Sequence, residues 1–117
     1  MESVYRILTA ADWELCMTLG RIAPGPLDEL DGYIHLSARQ AVLESANRYF
    51  DPHEEIVVVE LAVDRLGPDL RWEWVADRGA SFPHLYADGV PVSAVSATHS
   101  LRHDDDRGFS WGERAPL

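Results

Sequence analysis

Three polar side chains alternate along the segment GYIHLS at residues 32–37. In an extended strand Tyr33, His35 and Ser37 share one face, and the opposite face is apolar. An imidazole between two hydroxyl groups can transfer protons and orient a ligand, so these residues are candidates for a functional site. The structural alternative is that Ser37 caps the next helix and that His35 is a hydrogen-bonded histidine of the fold.

A second histidine follows a proline in the segment FPHLY at residues 82–86. Pro83 favours an extended conformation for the residue before it, so His84 and Tyr86 should share one strand face. His84 is a second candidate for proton transfer, and Tyr86 is a candidate ligand contact. A hydrogen bond from His84 to a backbone carbonyl is the structural alternative.

Charged residues alternate with tryptophans in RWEW at residues 71–74. Arg71 and Glu73 share one face, and Trp72 and Trp74 share the other. In a cleft Glu73 would accept hydrogen bonds or stabilise positive charge, with Arg71 beside it. The alternative is an ion pair next to a tryptophan-rich core.

Arg6 lies within the first predicted strand of a strongly acidic chain. Facing inward it could hold a phosphate group; an exposed position at a sheet edge is the alternative. No pair of histidines has the spacing of a zinc-binding helix, and no GxSxG segment is present. We therefore expect neither a metal site nor a serine hydrolase.

The elements that carry these residues can be predicted from apolar periodicity and turn residues. Helices are predicted over residues 10–19 and 37 to about 50, and a surface loop over 21–31. Strands are predicted over residues 4–8, 33–36, 56–63, 71–75, 82–86 and 91–101. This order favours an α+β fold with a mixed or antiparallel sheet and two helices in the N-terminal half. We expect a single domain over residues 1–101 and a flexible or loosely packed tail over 102–117.

Composition limits the partners of the chain. Its 117 residues suit a single domain, and its formal net charge of -10 opposes nucleic acid as a partner. One or two arginines could still hold a small anionic ligand. The N-terminus lacks a secretory leader, no apolar run could span a membrane, and Cys16 is the single cysteine. We expect a cytoplasmic protein with no membrane contact and no internal disulfide.

The ordered landmarks resemble those of a bacterial family called domain of unknown function 952. The matching segments, over about residues 4–97, are VYRIL at 4–8, Trp13, GYIHLS at 32–37, LGPDLRWE at 66–73 and FPHLY at 82–86. This family has no established activity, so the resemblance implies an outline of the fold.

A more distant resemblance concerns mechanism. The family resembles a compact ADP-ribosyltransferase fold, and GYIHLS is similar to the HVHLS strand of RNA 2′-phosphotransferases, which use NAD as acceptor. The resemblance implies that Arg6 grips the cofactor and that His35 with Ser37 lines a nicotinamide pocket. A later polar residue, Glu73 or His84, would stabilise charge.

The favoured hypothesis is an NAD-using ADP-ribosyltransferase-like or phosphotransferase-like enzyme without a metal. Its catalytic residues would be His35, Glu73 and His84, and its ligand contacts Arg6, Tyr33, Ser37, Arg71 and Tyr86. One alternative is a non-catalytic module for a small anionic or nucleotide-like ligand, and another is a structural domain that binds a partner through Trp72, Trp74 and Trp111. The enzyme hypothesis requires the two imidazoles to open into one hollow, floored by tryptophan.

Overall fold

The computed structural model describes residues 2–117, which form three antiparallel sheets and three α-helices. In chain order the elements are β1 (Ser3–Thr9), α1 (Ala10–Leu19), β2 (Arg21–Ile22), α2 (Pro26–Asp31), β3 (Ile34–His35), α3 (Val42–Tyr49), β4 (Ile56–Ala62), β5 (Leu70–Val75), β6 (Ala80–Leu85), β7 (Val90–Pro91), β8 (Val95–Asp104) and β9 (Gly108–Pro116). The α+β class is confirmed. The strands divide among three sheets, with neighbours β1-β4-β8-β9, β3-β6-β5 and β2-β7.

Strand β4 lies inside the four-stranded sheet, between β1 and β8. Its β-branched residues suit a pleated surface that is covered on both faces. Val59 and Leu61 enter one buried apolar cluster, whereas Ile56 and Val58 enter a second cluster beneath α3. The prediction of a central strand at this position is therefore confirmed.

Helix α1 spans residues 10–19, as predicted. The Thr9 hydroxyl accepts a hydrogen bond from the Asp12 N–H at 3.2 Å, which satisfies one free donor of the first turn. Gly20, with φ of 77°, ends the helix in the left-handed conformation.

The prediction of a loop over residues 21–31 is wrong in part, because α2 occupies residues 26–31. Pro26 is compatible with the first turn of a helix, where its missing N–H is not needed. The Asp28 carboxylate accepts a hydrogen bond from the Gly25 N–H at 2.7 Å. This short helix carries Asp28 into the interior, where its side chain is 3% exposed.

The prediction that Ser37 caps the second long helix is wrong. Ser37 lies in an extended bridge to Tyr5, with two reciprocal backbone hydrogen bonds of 2.8 Å. A 3₁₀ turn over Arg39–Ala41 follows, and α3 begins only at Val42. Pairing with β1 therefore decides the conformation of Ser37 in place of the local capping pattern.

The prediction of a flexible or loosely packed tail over residues 102–117 is wrong. Strand β9 pairs with β8 through Pro116, and Phe109 is buried at 6% exposure. The acidic segment between the strands is a turn, in which the Asp104 carboxylate accepts hydrogen bonds from the Asp106 and Arg107 N–H groups. The domain therefore extends through this hairpin.

None of the helices within residues 2–117 combines the length and apolar character that crossing a membrane requires.

Candidate functional site

A cleft of about 650 Å³ opens between β1, the α2–β3 segment, β6 and α3. Five of the residues singled out from the sequence line it: Arg6, Tyr33, His35, Ser37 and His84. Arg71 and Glu73 on β5, and Tyr86 directly after β6, are not among the lining residues. The cleft is therefore built from residues that are far apart in the sequence.

The two histidines meet because β3 pairs with β6 in antiparallel register. His35 is directly opposite His84, and their ring centroids are 5.9 Å apart. Opposed residues of an antiparallel pair point to the same face, which here is the cleft. Tyr33 stacks on His84, with ring centroids 3.9 Å apart and planes 24° apart. The prediction that the imidazoles of His35 and His84 line one cleft is confirmed.

Asp28 binds two of the cleft residues at once. Its carboxylate accepts hydrogen bonds from Arg6 Nη1 at 3.1 Å and Arg6 Nη2 at 2.6 Å, and it contacts His35 Nδ1 at 2.7 Å. Burial opposes ionisation of Asp28, but the hydrogen bonds from His35 and Arg6 outweigh it and hold the Asp28 pKa well below its usual range. Asp28 is therefore a buried anion that anchors this side of the cleft.

His35 lies between two carboxylates. Nδ1 contacts Asp28, and Nε2 contacts Asp31 Oδ2 at 2.8 Å. The hydrogen bond to Asp28 raises the His35 pKa, burial opposes the rise, and Asp31 adds to it. The site consequently favours the protonated ring, which donates from both nitrogens.

Arg6 faces inward, and its guanidinium is already engaged by the protein. Besides Asp28, Nη1 donates to the His35 carbonyl at 2.9 Å. Nε is buried without a hydrogen-bond partner in the part of the chain that the structure describes. This geometry makes Arg6 a positioning residue for Asp28 and His35, because both of its terminal nitrogens donate to oxygens of these two residues.

Glu73 binds His84, the second histidine of the cleft. Its Oε1 contacts His84 Nδ1 at 2.9 Å and accepts a short hydrogen bond from the Tyr86 hydroxyl. The Tyr86 hydrogen bond, followed by that of His84, lowers the Glu73 pKa, so the carboxylate is ionised and His84 Nδ1 carries the proton. Arg71 lies over the Tyr86 ring, with its Cζ 5.3 Å from the ring centroid.

This arrangement leaves His84 Nε2 available to the cleft. Among residues 2–117 the His84 ring has one hydrogen bond, through Nδ1, although its side chain is 6% exposed. A neutral imidazole with Nδ1–H bound to a carboxylate presents a basic Nε2 lone pair, which is the arrangement of a general base.

The prediction of a tryptophan-rich core or floor is wrong. Trp72 is 47% exposed and Trp74 is 68% exposed. Both belong to β5, an edge strand of the three-stranded sheet, and they point away from His84. On β5 this face of the sheet is therefore open to solvent, whereas on β3 and β6 the same face is buried through Ile34 and Leu85.

Sequence reasoning missed Asp28, Asp31, Ser45 and Arg78, which all line the cleft. Asp28 had a local signal, because an acid three residues after Gly25 and two after Pro26 matches the start of a helix. Arg78 lies in a 3₁₀ turn and Ser45 on a helix, and neither position shows a pattern typical of a site. Within residues 2–117 no group of three or more histidine, cysteine, aspartate or glutamate side chains is arranged to hold a metal ion.

Comparison with known proteins establishes the family. Residues 7–98 match the family described as "Protein of unknown function (DUF952)". The chain belongs to this family. The resemblance drawn from the sequence motifs is confirmed to that extent. No curated protein matches the chain.

Solved structures of a similar protein support the same fold. The crystal structure of protein CC0527 from Caulobacter crescentus is 35% identical, with a TM-score of 0.83, and the match covers 93% of this chain and 94% of that chain. The solution NMR structure of CC0527 is 37% identical, with a TM-score of 0.77, over 93% of this chain and 91% of that chain.

Proposed function

We propose that the cleft binds NAD and that this DUF952 protein is a transferase acting at the nicotinamide–ribose bond. The observation that carries the proposal is the pairing of His35 with His84 on opposed positions of β3 and β6. It brings two imidazoles, each bound to a carboxylate, into one cleft. Paired imidazoles of this kind are typical of acid–base sites.

Three features of the cleft fit NAD. Its volume of about 650 Å³ suits a small-molecule ligand. Tyr33 is stacked on His84 and lies 5.4 Å from Tyr86, so aromatic surface is available for a heteroaromatic ring. Asp31 lines the same cleft and supplies a carboxylate that is not paired with an arginine within residues 2–117.

When bound, NAD would supply a ribose carbon whose bond to nicotinamide breaks with the electron pair leaving on nicotinamide, while positive charge develops on the ribose. The carboxylate of Asp31, which is 36% exposed and is not engaged by an arginine within residues 2–117, would favour that positive charge. Asp31, at the solvent side, can also accept hydrogen bonds from ribose hydroxyls.

His84 is the residue that we assign to proton transfer. Its Nε2 would take the proton from the acceptor hydroxyl, amine or water as the acceptor attacks. Glu73 and Tyr86 act through His84: Glu73 holds the Nδ1–H tautomer, and Tyr86 holds Glu73. His35 and Arg6 keep Asp28 in place from the opposite wall.

The experiment incubates the purified chain with NAD and measures nicotinamide by mass spectrometry, with water as the acceptor when no other is added. We expect nicotinamide and ADP-ribose to accumulate in equal amounts. Replacement of the general base in His84→Asn should slow their formation roughly 100- to 10,000-fold. His53→Asn, at an exposed histidine, is the matched control and should leave the rate unchanged.

A second function, binding without turnover, is favoured by one observation. Asp28, Arg6 and His35 already bind one another, so this wall is saturated by protein contacts. A ligand-binding module would show heat in calorimetry and a raised melting temperature with NAD, but no product over long incubation. Neither binding nor product at millimolar NAD would reject both functions.

A further inference from the structure

Arg78 brings a second guanidinium group to the cleft. It ends the 3₁₀ turn Ala76–Arg78, and Gly79 with φ of 64° allows the chain to reverse into β6. Although charged, the Arg78 side chain is 7% exposed. Its Cζ lies 4.5 Å from the centroid of the Phe82 ring, so the guanidinium is held against an aromatic surface.

The hydrogen bonds of Arg78 leave one donor group free. Nη2 donates to the Ser45 Oγ at 2.9 Å, and Nε donates to Glu44 Oε1 at 3.0 Å. Glu44 is 65% exposed and thus outside the buried part of the site. Nη1 has no hydrogen-bond partner within residues 2–117, and Arg78 lines the cleft.

Ser45 supplies a second free donor at the same place. Its hydroxyl oxygen accepts from Arg78, whereas its O–H has no acceptor within the described part of the chain. Ser45 is buried, at 6% exposure, and it lines the cleft. A buried serine O–H beside a buried guanidinium N–H matches the acceptor oxygens of an anion.

The two arginines of the cleft thus differ in what they can bind. The Arg6 fork holds the buried Asp28 carboxylate through both terminal nitrogens. Arg78 meets a carboxylate only through Nε, from the exposed Glu44, and presents Nη1 without one. Arg78 therefore fits the role of ligand anchor that the sequence suggested for Arg6.

The position of Arg78 along the sheet specifies the ligand further. Arg78 packs on Phe82 and Tyr33 packs on His84, two positions further along the same face of β6. Two residues of a strand span about 7 Å. The anion donors of Arg78 and Ser45 therefore lie about this distance from the rings of Tyr33 and His84. In a nucleotide, the ribose separates the base from the phosphate by a similar distance.

We propose that Arg78 and Ser45 form an anion subsite that binds the phosphate of a nucleoside 5′-phosphate whose ring lies at Tyr33 and His84. This inference rests on the proposed function, because NAD contains such a unit in its nicotinamide mononucleotide half. It also stands apart from catalysis, since it concerns binding of the phosphate alone.

The test compares nicotinamide mononucleotide with nicotinamide riboside, which differ by the phosphate, using calorimetry on the full chain. We expect the wild type to bind the mononucleotide more tightly. Arg78→Gln should weaken its binding roughly 10- to 100-fold, the effect of losing a hydrogen bond to a charged group, and leave the riboside unchanged. Arg48→Gln is the matched control, because Arg48 also approaches Glu44 and Tyr49 but does not line the cleft.

Two further variants keep the test decisive if Arg78→Gln does not fold. Arg78→Lys retains the charge and loses the planar fork, and Ser45→Ala removes the hydroxyl donor. Both should weaken binding of the mononucleotide and spare the riboside. Unchanged affinity of the mononucleotide in these folded variants, or an equal loss in Arg48→Gln, would overturn the subsite.

The outcome is separate from that of the enzyme proposal. Selective loss of mononucleotide binding in Arg78→Gln, with no nicotinamide released from NAD by the wild type, would support the subsite and reject the enzyme. Nicotinamide release by the wild type, together with unchanged mononucleotide affinity in Arg78→Gln, would support the enzyme and reject the subsite.

Discussion

Two histidine–glutamate pairs in this protein have similar geometry and different surroundings. In the cleft, His84 Nδ1 contacts Glu73 Oε1 at 2.9 Å; in the four-stranded sheet, His99 Nε2 contacts Glu60 Oε1 at 2.7 Å. Both histidines are almost fully buried, at 6% and 4% exposure. The pair by itself therefore does not identify a functional site.

The difference lies in what else binds the carboxylate. Arg114 donates to Glu60 through Nε at 3.2 Å and Nη2 at 3.1 Å, and Ser96 donates to it as well. The Arg114 hydrogen bond, which outweighs burial, lowers the Glu60 pKa to about 2, with help from His99. Glu73 instead has the hydroxyl of Tyr86, and Arg71 lies over the Tyr86 ring.

The second difference is access. Edges of the Tyr5 and Trp111 rings pack around His99, with ring centroids 6.0 Å and 5.1 Å away. His84 lines the cleft with a free ring nitrogen. A His–Glu pair covered by an arginine and by aromatic rings stabilises the sheet, whereas the same pair beside an open cleft can exchange protons with a ligand.

The largest expected effect lies in the wall opposite His84, at Asp28. Asp28→Asn leaves the buried Arg6 without its counter-ion, and breaking a buried pair in this way costs about 3–5 kcal/mol. We expect a loss of this size in the free energy of unfolding, measured by urea denaturation. Asp31→Asn, at the solvent side of His35, should cost within about 1 kcal/mol. Equal effects of the two variants would contradict the anchoring role of Asp28.

The next largest effects distinguish Glu60, which stabilises the fold, from Glu73, which orients His84. Glu60→Gln should lower the free energy of unfolding by about 1–3 kcal/mol, because Arg114 and His99 lose a charged acceptor. Glu73→Gln should change stability less and slow nicotinamide release roughly 100-fold, because His84 loses its orienting carboxylate. Denaturation and nicotinamide release are measured on both variants. If Glu60→Gln slowed release as much as Glu73→Gln, the distinction between the pairs would fail.

The smallest effect is a dependence of stability on pH that differs between the two regions. Because the folded protein raises the His35 pKa above 6.5, stabilisation by His35 is fully present below about pH 6.5 and is lost as the pH rises through the raised value. Because the Glu60 pKa is lowered from 4.5 to about 2, its contribution is present above about pH 4.5 and is lost as the pH falls toward 2.

Melting temperatures measured from pH 3 to 9 test this dependence. His35→Asn should reduce the pH dependence of the melting temperature on the neutral side, and Glu60→Gln should reduce it on the acid side only, each by a few degrees. A changed neutral-side dependence in Glu60→Gln would show that the two regions are not independent.

The sequence alone predicted much of what is local. Thr9 and Gly20 mark the ends of α1, the β-branched run marks β4, and the motifs of residues 4–8, 32–37 and 82–86 indicated the family. These features depend on backbone preferences and on neighbours within a few residues. Tyr33, His35 and His84 were selected for the same reason, since alternation along a strand is visible in the sequence.

Tertiary structure decided which charges meet and which faces are covered. Ser37 pairs with β1 in place of capping a helix, the last residues form β9, and Trp72 and Trp74 face solvent because β5 is an edge strand. Asp28 is 22 residues from Arg6, and Arg78 is 33 residues from Ser45. Long-range pairing of this kind depends on sheet register and on the burial of charge, and neither is determined by the spacing of residues along the chain.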